Sequence, residues 1–327
     1  MVGLAGLLLL GLVCAIGLST VTMVHKLRHP PRKTYAWAVA KNRPGTPAEL
    51  DTPRVFEEIT LDLLGRKLPA WVIDGDVAEG PLVIFTPGWG DSRVGVLPRL
   101  GPLLRHASRV VAWDPPGLGE AEGICLLGVH EPALLAEIVR QFGDHRGVVL
   151  SGSSLGAGVS IVAAARLGES EGTPQILGVI AEAPYRLPWT PAFNVMRLSA
   201  LPWRVPGPLA FFFMGLRDGN PLWRGFDRAA AAARLTAPLL VLHGEDDEVS
   251  PLADGRAIAE AADSDDRGEL RTIPRGQHNN LWTEPALSEL ADLSVHRFLI
   301  RVITQGISAG DIEPAVEEQG NAPADRQ

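Results

Sequence analysis

From Val2 to Val24 the chain is uncharged and mostly apolar; beyond that run, apolar residues come in short blocks divided by polar turns. The blocks predict strands over EEITLDLL (57–64), LPAWVID (68–74), PLVIFTP (81–87), RVVAWD (109–114), GVVLS (147–151), ILGVIAEA (176–183), PLLVLHG (238–244) and ELRTIP (269–274). Helical patterns fall between them, over about 131–142, 155–167, 251–262 and 285–302. Continuous apolar strands alternating with helices specify the α/β class, with a mostly parallel sheet covered by helices on both faces. Residues 184–225 break the alternation: they are rich in Pro and Trp, carry AFFFMGL (210–216), and read as a cap inserted between two core strands. Residues 34–55 are polar, contain Pro and read as a linker. The stretch 305–327 is rich in Gly, Ala, Glu and Pro and is expected to be a disordered acidic tail. The expected organisation is an apolar segment over 1–25, a basic segment and linker over 26–55, one catalytic-sized domain over 56–304, and the tail.

The 23 residues from Val2 to Val24, at 1.5 Å rise each, make about 34 Å of helix, enough to cross a bilayer core. A cleaved export signal would carry basic residues before the apolar run and a small-residue cleavage site after it. Here the cations follow, as Lys26, Arg28, Arg32 and Lys33. The reading is one uncleaved transmembrane helix whose flanking charge puts the body on the cytoplasmic side. On this reading any site lies entirely in the body beyond residue 34.

Composition narrows the chemistry. At 327 residues and 46% hydrophobic, the chain can bury a sizeable core. A net charge of -8 argues against a nucleic-acid partner, which would want a basic stripe. Cys14 and Cys125 are the only cysteines, so there is no disulfide framework, and no Cys/His cluster points to a metal.

Candidate chemistry starts at SGSSLGAG (151–158), directly after GVVL. Gly152-Ser153-Ser154-Leu155-Gly156 matches G-x-S-x-G, but so does GISAG (306–310), which follows a helix. Only the first copy lies between an apolar strand and a helix, the setting of a nucleophile elbow. There Ser154 is the central residue. The residues two before and two after it must be small, and Gly152 and Gly156 are. The Leu155 N–H then opens a helix, where it can stabilise a developing oxyanion. TPGWGDS (86–92) follows an earlier strand; Gly88 permits close backbone approach, and the Trp89 N–H is the candidate second donor. The bland alternative at both places is an ordinary Gly turn. A serine nucleophile needs a base, and the base an orienting acid. HGEDDEVSP (243–251) offers adjacent Asp246 and Asp247, and GQHNNLW (276–282) offers His278 on a loop opening the last helix. His243 ends a strand before the acid and reads as structural. His25 and His29 flank the apolar run, His106 and His145 precede strands, and His296 lies within the last helix; His130 is harder to exclude.

PGWGDS, WDPPGLGEAEG, GSSLGAG, HGEDDEV and GQHNNLW, in this order over roughly residues 57–303, resemble the α/β-hydrolase superfamily of serine hydrolases. HGEDDEV and HNNLW are most similar to membrane-anchored esterases and thioesterases and to prolyl-oligopeptidase-like or serine-aminopeptidase-like hydrolases. The resemblance implies the α/β-hydrolase fold and a catalytic set of Ser154, Asp247 and His278. The acid of such loops stands three residues after the Gly of HG, which selects Asp247 over Asp246. It also implies oxyanion donors at Trp89 and Leu155 and no cofactor. Two departures stand out: the oxyanion loop begins Pro87-Gly88 instead of His-Gly, so a common bracing hydrogen bond is missing, and Ala121 replaces a frequent Ser. The implied reaction is hydrolysis of a carboxylic ester or thioester through an acyl-enzyme. The apolar cap favours a small or lipid-like substrate with a hydrophobic acyl group. A peptidase or aminopeptidase would use a carboxylate such as Glu120, Glu122 or Glu182 to grip an amino terminus. A non-catalytic binding protein on this fold is the further alternative. Phe211, Phe212 and Phe213 have three destinations: the core, the acyl pocket or the bilayer surface. The expectation is that at least one ring lines the acyl site.

Overall fold

The structure, a computed structural model, describes residues 3–199, 204–263 and 266–310, the side chains of 307–310 excepted. Eight strands form one sheet: β1 (Phe56–Leu63), β2 (Arg66–Asp74), β3 (Leu82–Thr86), β4 (Arg109–Trp113), β5 (Val148–Ser153), β6 (Ile176–Glu182), β7 (Leu239–Gly244) and β8 (Gly268–Ile273). Their order is β1-β2-β4-β3-β5-β6-β7-β8. From β4 to β8 all neighbours are parallel. β1 and β2 make an antiparallel hairpin that joins β4 antiparallel at one edge. Leu63 faces Arg66, so only Leu64 and Gly65 turn the hairpin. Both have positive φ, 50° and 75°, the twist that a two-residue hairpin loop requires. Every residue of β3 and β5 is buried, which is why these strands read as unbroken apolar runs.

The helices are α1 (Leu4–Arg28), α2 (Tyr35–Ala40), α3 (Leu100–Leu104), α4 (Glu131–Phe142), α5 (Leu155–Gly168), α6 (Trp189–Leu198), α7 (Pro206–Arg217), α8 (Arg228–Ala232), α9 (Leu252–Ala262) and α10 (Pro285–Gly310). One face of the sheet is covered by α4, α5, α8 and α9, through residues such as Leu135, Ile138, Ile161 and Ile258. The other face carries α3 and α10, through Leu100, Leu104, Phe298 and Val302. The observed architecture is therefore the expected doubly covered, mostly parallel sheet. Between β6 and β7, α6 and α7 build a separate apolar cluster with Phe211, Met214, Met196 and Trp223.

Two boundaries differ from the sequence reading. Residues 34–55 are not a free linker: Tyr35–Ala40 is helical, Ala38 is fully buried, and Trp37 and Leu50 pack on the core. The apolar side chains of YAWAVA have a sheet face to cover, and that outweighs the Pro content around them. The last helix runs to Gly310, past the expected boundary at 304, so GISAG forms its final turns; residues 311–327 lie outside the described residues.

Helix α1 is long and apolar enough to cross a membrane. Its first four turns are largely exposed, but Thr20, Met23, Leu27 and Arg28 are buried, and the helix packs beside α7. Met23 and Leu27 share the apolar cluster of α6 and α7.

Candidate active site

Strand β5 delivers the chain into Ser154, whose φ of 51° and ψ of -110° lie outside the ordinary allowed regions. Helix α5 starts at the next residue. The turn closes only because two side chains are absent. A β-carbon on Gly152 would lie 2.4 Å from the Gly156 carbonyl oxygen, and one on Gly156 would lie 2.0 Å from the Thr86 oxygen. The Ser154 N–H donates to the Glu182 carbonyl at 2.7 Å, which fixes the elbow to the end of β6. Strain of this kind costs on the order of 1–3 kcal/mol and persists only where the surroundings hold it.

The loops after β7 and β8 bring the other two groups to the elbow. His278 places Nε2 at 3.0 Å from Ser154 Oγ and Nδ1 at 2.7 Å from Asp247 Oδ2. Asp247 Oδ1 accepts the N–H groups of Val249 and Ser250, both at 2.8 Å. The carboxylate is buried, and its neighbour Asp246 is exposed. His243 is fully buried, and its Nε2 bonds the Ser250 carbonyl at 2.8 Å. Burial holds the His243 pKa below the ordinary histidine range, so it stays neutral beside Asp247 and leaves the carboxylate charge to His278. His243 thus fixes the acid loop. The sequence-derived set of Ser154, Asp247 and His278 comes together in one hydrogen-bonded chain. Ser308 falls in α10, away from any strand-to-helix turn.

The two candidate oxyanion donors flank Ser154. Leu155 is the first residue of α5, where amides have no intrahelical acceptor. Trp89 follows Gly88, whose added β-carbon would stand 3.3 Å from Ser154 Cβ; any other residue there would crowd Ser154.

These groups open onto a cavity of about 490 Å³, walled by Trp89, Leu127, Tyr185, Val195, Met196 and Phe211 among others. That volume falls in the usual range for small-molecule sites, roughly 300–1,000 Å³. Of the three cap phenylalanines, Phe211 lines the cavity and is buried. Phe212 and Phe213 do not line it; they are 44% and 53% exposed, because consecutive helical residues point about 100° apart. A second correction concerns the extent of the site. The cavity wall also includes Lys26, Leu27, Pro31 and Lys33, so the site is not confined to the body beyond residue 34.

Sequence reasoning also missed the buried clamp beneath the elbow. Arg99 holds Glu182 through two contacts of 2.6 and 2.7 Å, and Trp282 Nε1 donates to the same carboxylate at 2.7 Å. Glu182 therefore ties the elbow to the loop that carries His278. The available signal was a carboxylate at the end of an otherwise apolar strand, which needs a buried partner.

No family model matches the chain. It is 35% identical over 145 residues to the human protein ABHD12B, a match covering 43% of this chain and 38% of that protein. It is 32% identical over 148 residues to the monoacylglycerol lipase of Mycolicibacterium smegmatis, covering 44% of this chain and 49% of the lipase. The chain thus spans less than half the length of these curated relatives. Among solved structures, the Pyrococcus furiosus esterase Pf2001 superimposes with a TM-score of 0.63 at 19% identity, over 84% of this chain and 98% of the esterase. A membrane phospholipase A described as a bacterial virulence factor gives a TM-score of 0.57 at 18% identity, over 91% of this chain and 98% of that one. The parallel sheet with its antiparallel edge, the strained elbow after β5 and the likeness to these solved structures give the chain the α/β-hydrolase fold.

Proposed function

We propose that this protein is a membrane-anchored serine hydrolase that cleaves a carboxylic ester or thioester of a lipid-like substrate through an acyl-enzyme on Ser154. The observation that carries this reading is the unbroken Ser154–His278–Asp247 chain at the mouth of a largely apolar cavity. In the proposed cycle His278 Nε2 takes the Ser154 proton as Oγ attacks the carbonyl carbon. Asp247 holds Nδ1–H and so fixes the tautomer. The Trp89 and Leu155 N–H groups stabilise the oxyanion. His278 then protonates the leaving alcohol or thiol. Water, deprotonated by the same imidazole, releases the acid and restores Ser154.

The lipid-like class is supported by the cavity lining and by the relatives, two of which are named as a lipase and a phospholipase. The peptidase alternative would need another carboxylate than Glu120, Glu122 or Glu182: none of these lines the cavity, and Glu182 is held by Arg99 and Trp282. Membrane attachment is supported by α1 and by α7 beside it. Leu209, Phe212, Phe213 and Leu216 recur at i, i+3, i+4 and i+7 on α7 and are all exposed, an apolar stripe suited to the bilayer boundary. We place the body on the cytoplasmic side by the charges after α1. Protease added to inverted vesicles is then expected to digest the body; full protection would put it on the other face.

The substrate class is tested with a series of esters of increasing acyl length, using the full chain in detergent micelles. Phe211→Ala is expected to lower kcat/KM for long-chain esters about tenfold more than for acetate esters, corresponding to a lost ring contact of about 1.4 kcal/mol. Phe212→Ala and Phe213→Ala should keep the wild-type chain-length preference. An unchanged preference in Phe211→Ala would remove the acyl group from this cavity.

A further inference from the structure

The loop that carries the Trp89 N–H is held by the end of the apolar helix α1. Helix α1 stops at Arg28, and prolines stand at positions 30 and 31. In a continuing helix the Leu27 carbonyl would accept the N–H of residue 31, but Pro31 has none. The Leu27 oxygen is left over, and the Trp89 indole Nε1–H donates to it at 2.9 Å. The next loop residue, Gly90, has φ of 73°, and Pro31 walls it: a β-carbon there would lie 3.7 Å from Pro31 Cδ. The residue after that, Asp91, pairs with Lys33 at 3.1 Å. Three successive residues of the oxyanion loop therefore each rest on residues 27–33.

That segment is itself fixed. Arg28 is buried, pairs with Asp218 of the cap and donates to the Cys125 carbonyl at 3.2 Å. The Cys125 N–H in turn donates to the Arg28 carbonyl at 2.8 Å, and Arg32 Nη1 donates to the Ala121 carbonyl at 2.7 Å. The loop opens on Pro87-Gly88, and the end of α1 lies against the three residues that follow.

We propose that the C-terminal turn of α1 and residues 29–33 position the oxyanion loop, so that stabilisation of the transition state at Ser154 depends on α1 being docked. This rests on the serine-hydrolase reading above. Trp89 thus has two parts: its backbone N–H faces the reaction, and its indole sets where that N–H points. A helix withdrawn from the body would take with it the acceptor of the indole, the wall against Gly90 and the partner of Asp91. The membrane helix would then be a positioning element of the site as well as an anchor.

The test uses the full chain in detergent micelles with a soluble acetate ester. Trp89→Phe keeps an aromatic ring and the backbone N–H and removes the indole donor together with part of the side-chain volume. We expect kcat to fall about tenfold, between the cost of one ordinary hydrogen bond and the roughly 10²–10³ that a lost oxyanion donor costs. KM should stay within about twofold and the thermal midpoint should hold, because the loss falls on the transition state. Lys33→Ala, at a partly exposed side chain, should lower kcat about threefold. The double variant should be slower than wild type by less than the product of the two effects, because both act on one loop. Wild-type kcat in both single variants would overturn the proposal, as would multiplying effects that follow the thermal midpoint. Labelling of Ser154 in the wild type by a fluorophosphonate separates the two levels. If the wild type is labelled and the variants are unaffected, only the positioning role fails; if the wild type is not labelled, the hydrolase reading fails.

Discussion

Replacing Ser154 with Ala is expected to abolish ester hydrolysis, with a loss on the order of 10⁶ in kcat, while the protein stays folded. The substitution removes Oγ, the atom 3.0 Å from His278 Nε2, and leaves the elbow's glycines and the Glu182 contact to the backbone in place. Ala is small enough for the strained φ of 51°, so no packing is lost. Kinetics with a saturating short-chain ester, together with a thermal melt, checks both halves. Ser308→Ala should leave the rate unchanged, because its G-x-S-x-G copy sits in α10. A dead Ser153→Ala beside a fully active Ser154→Ala would move the nucleophile by one residue and overturn the assignment.

Asp247→Asn is expected to lower kcat by about 10⁴, and Asp246→Asn by no more than about threefold. Asp247 accepts three N–H groups, from Val249, Ser250 and His278, and donates none. An amide has one accepting oxygen. Its NH₂ must therefore meet a donor or force His278 into the tautomer that carries its proton toward Ser154, where it cannot act as a base. Asp246 is exposed, and its N–H donates to the Gly276 carbonyl at 2.8 Å. Parallel kcat measurements on the two variants decide between them; equal losses would contradict the assignment.

The candidate site of this chain was readable because it is written in steric terms. An elbow that tolerates no β-carbon two residues before or after the nucleophile must spell G-x-S-x-G, and a fully buried parallel sheet must spell unbroken apolar runs. Both survive as local patterns, so the strands came out within a few residues and the triad residues could be named. Asp247 was separable from Asp246 only by resemblance, since adjacent residues of one type look alike; the structure separates them by burial. Phe211, Phe212 and Phe213 show the opposite limit. Their identities are the same, and which ring faces the cavity depends on where α7 docks, a property of the whole fold. The contribution of α1 was hidden for a related reason. Hydropathy describes side chains, whereas Leu27 acts through its carbonyl. The legible trace of that role was the Pro30-Pro31 pair, which stops the helix and leaves an acceptor free. The hairpin β1–β2 likewise carried its cue in Leu64-Gly65, a turn whose positive φ values Gly marks at one position only.

The central claim is that Ser154 is the acylated nucleophile, activated by His278. Its most direct test is to treat the full chain in micelles with a fluorophosphonate and map the adduct by peptide mass spectrometry. The account predicts a single adduct on Ser154, formed in step with loss of ester hydrolysis and strongly slowed in His278→Ala. An adduct on Ser153 or Ser308, or hydrolysis that persists with Ser154 fully modified, would contradict it.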